Sequence, residues 1–234
     1  MRTLRKLSAI LLTGLLTVPA LAAAKTDADD KEIKKLVAAE KALREAVAAP
    51  DKGIPNELFQ RAECIGVFPD AKKVAFVVGG EGGRGVFTCR QKDGTMGSPA
   101  FFTIGGPSIG WQAGIEEADT ILLIMNTQGV QKLLQDKFTI GAEASAAAGP
   151  VGRDAKAATD AQLNAQILSW SRSRGLFAGA SLEGIVMKPN SDANADFYGR
   201  PVDAKAILVD HSVECPSSAR SFVKTATQVS RRAS

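Results

Sequence analysis

The chain has 234 residues, 45% of them hydrophobic, with 29 Lys and Arg against 25 Asp and Glu. That length supports one sizeable core, and the small net charge of +4, with no clustered basic runs or interleaved aromatics, argues against nucleic acid as a partner. One histidine, His211, and three cysteines without C-x-x-C or H-x-x-x-H spacing leave no metal site to predict and little material for nucleophilic catalysis.

Residues 1–22 read as a targeting segment. Arg2, Arg5 and Lys6 precede the apolar run 7–21, and Ala20-Leu21-Ala22 resembles a cleavage site. The expectation is removal and export, to a periplasmic or secreted location. Without those three cations, 26 basic residues face 25 acidic ones, so any basic patch on the mature chain must be local. No linker or composition break divides the remainder, and residues 23–234 read as a single domain with a loose basic C-terminal tail.

Residues 27–49 predict a helix, with Asp27, Asp29 and Asp30 at its start. Ile33, Leu36, Val37, Leu43 and Val47 share a broad apolar face, interrupted by Glu40, and Lys31, Lys34, Lys35 and Lys41 lie toward the other. Such a helix either docks on a sheet or lies in a lipid interface. A short helix at 55–63 and a strand at 64–68 come next, the strand closed by Pro69-Asp70.

Residues 74–90 then place two Val- and Phe-rich runs around Gly79, Gly80, Gly82, Gly83 and Gly85, which reads as a β-hairpin turning on glycine. Gly80, Gly82 and Gly85 also satisfy G-x-G-x-x-G. The next residues, Val86 to Arg90, are β-prone, so the helix that a dinucleotide site requires is missing, and no G-K-S/T marks a P-loop.

Strands are expected at 100–104 and 108–115 about a Gly105-Gly106-Pro107 turn, with Trp111 in the core. The continuous apolar run 119–126 predicts a strand covered on both faces. A helix at 127–137 precedes a small-residue strand at 138–148, against which something must lie close. Gly149 to Arg153 breaks that strand, and a polar loop spans 154–160. Long strands at 165–171 and 175–186, a polar turn or short helix at 190–198, and helices at 203–208 and 217–229 complete the chain. The predicted fold is α+β: a curved, glycine-rich antiparallel sheet, partly closed as a barrel or sandwich and flanked by helices.

Three pairings of Cys64, Cys89 and Cys215 are possible in an oxidising compartment. Cys64 with Cys89 is favoured, although a simple meander places them at opposite ends of neighbouring strands. Arg84, Arg153, Arg172 and Arg174 sit at predicted strand ends or turns, and their convergence on one rim would form an anion-binding mouth. A hydrolase at Ser108 and His211 is the remaining catalytic alternative, and no activity is expected of it.

Ordered motifs along the chain resemble the SYLF domain of bacterial exported proteins and eukaryotic SH3-containing adaptors of actin patches. They are Phe68-Pro69, Val77-Val78-Gly79-Gly80, Gly83-Arg84-Gly85-Val86, Pro99-Ala100-Phe101-Phe102, the run from Gly105 to Gly114, Asp119 to Asn126, Ala147 to Arg153 and Ser171 to Gly179. The resemblance covers about residues 31–208. It implies a non-enzymatic module that binds phosphoinositides or other anionic phospholipids, with actin binding in some eukaryotic members and membrane contact through the segment matching 27–49.

Combined with the targeting segment, these readings predict an exported protein that binds anionic phospholipids at a peripheral membrane surface without a cofactor, actin being an unlikely partner in that compartment. Ile33, Leu36 and Leu43 are expected to enter the interface, with Lys31, Lys34, Lys35 and Lys41 at the headgroups and Arg84, Arg153, Arg172 and Arg174 as further anion contacts. The alternative is an envelope scaffold or protein-interaction module with no direct lipid binding.

Overall fold

The computed structural model describes residues 20–48, 53–152, 164–173 and 176–231. Helix α1 (Ala20–Ala48) and the short α2 (Asn56–Arg61) precede two very long strands, β1 (Cys64–Cys89) and β2 (Ala100–Ile124). Then come α3 (Thr127–Leu133), β3 (Phe138–Thr139), β4 (Ala146–Ala148), β5 (Ile167–Ser173), β6 (Leu176–Gly179) and β7 (Val186–Pro189). Helices α4 (Ser191–Tyr198), α5 (Ala204–Leu208) and α6 (Arg220–Val229) complete the order, the last preceded by a 3-10 turn at Ser217–Ala219. The fold is the predicted α+β class, a curled and mostly antiparallel sheet flanked by helices.

β1 and β2 pair antiparallel along almost their whole length, from Cys64 opposite Ile124 to Phe87 opposite Ala100. A straight strand of 26 residues would reach about 85 Å. Yet the ends of β1 are joined by a Cys64–Cys89 disulfide with Cα atoms 4.0 Å apart. The ribbon therefore doubles back on itself, helped by register shifts at Phe68/Ala71 and Ala75/Val77.

Glu63 seals the closure from both sides. Its N–H donates to the Ile124 carbonyl at 2.8 Å, and its carbonyl accepts from the Arg90 N–H at 2.8 Å. Along the seam, the Phe87 ring occupies the place a side chain at Gly66 would take, and Phe68 does the same at Gly85. Opposed glycines thus let two halves of one strand approach with a ring between them.

This arrangement corrects the predicted glycine hairpin. Gly80, Gly82, Gly83 and Gly85 lie inside β1, paired with β2 residues from Pro107 to Phe102, and none is among the positive-φ residues. None of them reverses the chain, and at Gly85, and less tightly at Gly83, the absent side chain permits close approach. The expected Gly105-Gly106-Pro107 turn likewise lies within β2. The real β1–β2 turn is at Lys92-Asp93-Gly94, where Gly94 has φ 85° and the Asp93 carboxylate accepts from the Thr95 N–H.

Outward from the ribbon, β2 pairs with β7 through Phe102–Gly105 and with β5 through Asp119–Ile124. β3 adds to β7, and β4 and β6 add to β5. The predicted strand at 138–148 is two short ones, and that at 175–186 is replaced by β6 and β7, separated by a turn with Gly184 at φ 83°. The small residues of β4 admit Gly149 against the Trp170 ring, whose Nε1–H donates to the Pro150 carbonyl at 2.9 Å.

The sheet buries both faces, as the run 119–126 predicts. Ile121 and Leu123 join a cluster with Ile65, Phe101, Trp170 and the inner faces of α1, α2 and α6. Leu122 and Ile124 join Phe68, Phe87, Phe102 and the layer of α3 and α5. The C-terminal helix α6 is docked through buried Phe222 and Ala226. Residues 1–19 of the predicted targeting segment, Arg153, the predicted loop at 154–160 and Arg174 lie outside the described residues, as do the side chains of Ser108 and Trp111.

Replacing Cys64 and Cys89 together by Ser should cost about 3 kcal/mol in denaturant unfolding, for a loop closed across a sequence separation of 25. Gly85→Ala should destabilise the fold as well, because the added methyl meets Phe68 and the Val67 carbonyl.

Candidate functional site

Helix α1 packs on β1 and on the C-terminal helix α6, and its inner side carries both the apolar and the ionic contacts. Leu36 and Leu43 are 1% and 0% exposed, packed with Ala39, Ala42 and Ala46 against the sheet. In the docked helix these two leucines are core residues and do not face a lipid surface. Ile33 is half-buried.

Carboxylates of α1 meet the arginines of the sheet. Glu32, itself buried, pairs with Arg84 of β1. Glu45 pairs with Arg172 of β5, which also holds Asp119 of β2 through its Nε, at 3.0 Å, and a terminal nitrogen. The Arg172 guanidinium lies 5.5 Å from the centre of the Phe177 ring. Burial would lower the Arg172 pKa, but Asp119 and Glu45 together hold it above its ordinary value. Arg84 and Arg172 therefore converge on α1, yet each is neutralised by a carboxylate and does not present an open anion mouth.

Glu40, which breaks the apolar stripe in the sequence, links two helices. One of its oxygens accepts from Arg44, from Ser221 Oγ at 3.0 Å and from Thr225 Oγ1 at 3.1 Å on α6. Burial alone would raise its pKa; the hydrogen bonds from Arg44, Ser221 and Thr225 outweigh that and hold it below the ordinary 4.5.

The outer side of α1 is basic. Lys31, Lys34 and Lys41 are exposed and make no ion pair among the described residues, and Val37 between them is 62% exposed. Lys35 is half-buried at the edge of this face and donates to the Pro69 carbonyl at 3.2 Å. Asp30, Lys31, Lys34, Lys35, Ala38 and Asp70 line an open cleft of about 490 Å³ between α1 and the first β1 bulge.

The catalytic alternative finds no support in the described geometry. His211 rests over Gly97 at φ 49° with its Nδ1 buried and without a hydrogen-bond partner. The neighbouring Ser98 hydroxyl donates to the Val213 carbonyl, and burial pushes the Cys215 thiol up. No base oriented by a third group is present here. Among the described residues no cluster of His, Cys, Asp and Glu could hold a metal, and no helix is long and apolar enough to cross a membrane.

A family model described as "Ysc84: Las17-binding protein actin regulator" matches residues 105–229. The chain belongs to the Ysc84 family. This bears out the SYLF resemblance. Among its relatives, "LAS seventeen-binding protein 3" of Saccharomyces cerevisiae is 37% identical over 166 residues, covering 69% of this chain and 36% of the relative. "Protein YSC84" from the same organism is 33% identical over 165 residues, covering 69% and 35%. The human "SH3 domain-containing YSC84-like protein 1" is 31% identical over 160 residues, covering 68% and 46%. The match thus spans less than half the length of each of these relatives.

Two expectations are corrected by these Ysc84 relatives. Export to a periplasmic or secreted location does not stand against yeast and mammalian proteins whose family is described as an actin regulator. The expectation that actin is an unlikely partner is corrected by the same finding, since the matching family is described as a Las17-binding actin regulator and one relative is named for binding LAS seventeen.

The Glu40 clasp makes stability depend on acid. A carboxyl with a depressed folded pKa stabilises the fold above 4.5, and that contribution is lost as the pH falls through the folded value. Glu40→Gln should therefore be less stable than the native chain at neutral pH, the difference disappearing in acid, as read by urea unfolding at a series of pH values.

Proposed function

We propose that this chain is a non-enzymatic protein-interaction module acting within actin-regulating machinery, with α1 presenting its basic outer stripe to an acidic protein surface. The family match carries the reading, since a Las17-binding actin regulator is what that family is described as. The geometry supports it in two ways. The inner cations Arg84 and Arg172 are paired within the fold, and Arg44 on the helix is paired with Glu40, which leaves Lys31, Lys34 and Lys41 as exposed cations of α1 without an ion pair among the described residues. They flank exposed Val37, giving an apolar centre with a charged surround on one helix face. Residues 23–234 are taken as one module, because α6 closes against α1 through Glu40.

Co-sedimentation with actin filaments at low and physiological salt tests the proposal. The native chain should pellet with filaments, more at low salt, and Lys31→Glu, Lys34→Glu and Lys41→Glu combined should reduce pelleting several-fold while leaving the circular dichroism spectrum unchanged. Absence of pelleting by the native chain overturns the reading. Co-sedimentation with anionic phospholipid vesicles but not with filaments would replace the protein surface by a lipid one.

A further inference from the structure

One lysine of α1 stands apart from the exposed stripe. Lys35 lies where the helix meets the first bulge of β1, half-buried in the wall of the open cleft, which Asp30, Lys31 and Lys34 of the same helix and Asp70 of β1 also line. Its amine has one weak hydrogen bond, to the Pro69 carbonyl at 3.2 Å, and no ion pair among the described residues. Two nearby carboxylates are already engaged, Glu32 by Arg84 and Asp119 by Arg172 and the Asp70 N–H. Asp70, held at φ 54°, is the acidic group left to face the amine.

We infer that Lys35 is a covalent acylation site, and that the geometry suits a small acyl phosphate as donor. The cleft of about 490 Å³ admits such a molecule, and Lys31 and Lys34 supply cations for its phosphate beside the amine. In the reaction the Lys35 lone pair attacks the acyl carbonyl carbon, forming the amide C–N bond. The C–O bond to phosphate breaks, inorganic phosphate departs with the electron pair, and the surplus amine proton passes to solvent. No oxidant, reductant or further reactant is needed.

The electrostatic surroundings favour the same residue. Burial lowers the Lys35 pKa; Asp70 raises it, Arg84 lowers it, and Glu32 and Asp119 raise it, with the balance below the ordinary amine value. A lysine partly desolvated beside another cation is the setting in which an amine becomes nucleophilic near neutral pH.

The test is a time course of the full chain with acetyl phosphate, monitored by peptide mass spectrometry of acetyl occupancy at each lysine. Lys35 should acquire acetyl several-fold faster than exposed Lys31, Lys34 and Lys41. An equal or slower rate at Lys35 overturns the site. Asp70→Asn, which keeps a residue tolerant of positive φ, should accelerate Lys35 further, and an unchanged or slower rate would contradict the electrostatic basis. With acetic anhydride, which carries no phosphate, the advantage of Lys35 should shrink; an undiminished advantage would overturn the choice of an acyl phosphate.

Discussion

Everything in this molecule is arranged around one strand that meets itself. β1 leaves the Cys64–Cys89 disulfide, travels out beside β2, and returns to the same disulfide, so that Glu63 is bonded to the end of β2 on one side and to Arg90 on the other. Closure imposes two demands on the rest of the chain. The doubled ribbon has two faces to cover, and its seam admits little beyond the paired Phe–Gly contacts of Phe87 with Gly66 and Phe68 with Gly85. Arg90 reinforces the junction by donating to carbonyls of α2 and to Ser230 after α6, so α2 and the end of α6 are both tied to the closing strand.

The closed ribbon also decides what α1 can show to the outside. Much of the helix's buried face is alanine, which allows close approach to the sheet but contributes little apolar area per residue. Ionic contacts add to the hold: Glu32 with Arg84, Glu45 with Arg172, and Glu40 with α6. These contacts neutralise the inner charges. The acidic residues Glu32, Glu40 and Glu45 are used inward, and Lys31, Lys34 and Lys41 face outward. The surface available to a partner is thus basic because the interior took the acids, although the whole chain carries a net charge of only +4.

Features set by short-range pattern are legible in the residues alone. The run 119–126 announces a strand buried on both faces, and Ile121 and Leu122 do fall in opposite core clusters. The helices at 55–63, 203–208 and 217–229 rest on local periodicity, and the ordered glycine and aromatic motifs lead to the family. The glycine run misleads because glycine signals chain reversal and close approach alike, and only a contact between residues far apart in sequence, such as Gly85 with Phe68, separates the two. Arg84 and Arg172 fail as an anion mouth for a similar reason: their carboxylate partners, Glu32 and Glu45, are 52 and 127 residues away. Glu40 leaves a usable trace. A lone acid on an apolar helix face calls for a polar partner, and Ser221 and Thr225, spaced one helical turn apart, supply it.

Hydrogen exchange in the native chain tests the closure most directly. If β1 is sealed to itself, the amides of Glu63 and Arg90 exchange as slowly as those of Ile65 and Leu123 in the core, opening only with global unfolding. Fast exchange at both, with Ile65 and Leu123 still protected, would mean that the ribbon ends are free and that the fold is an open sheet.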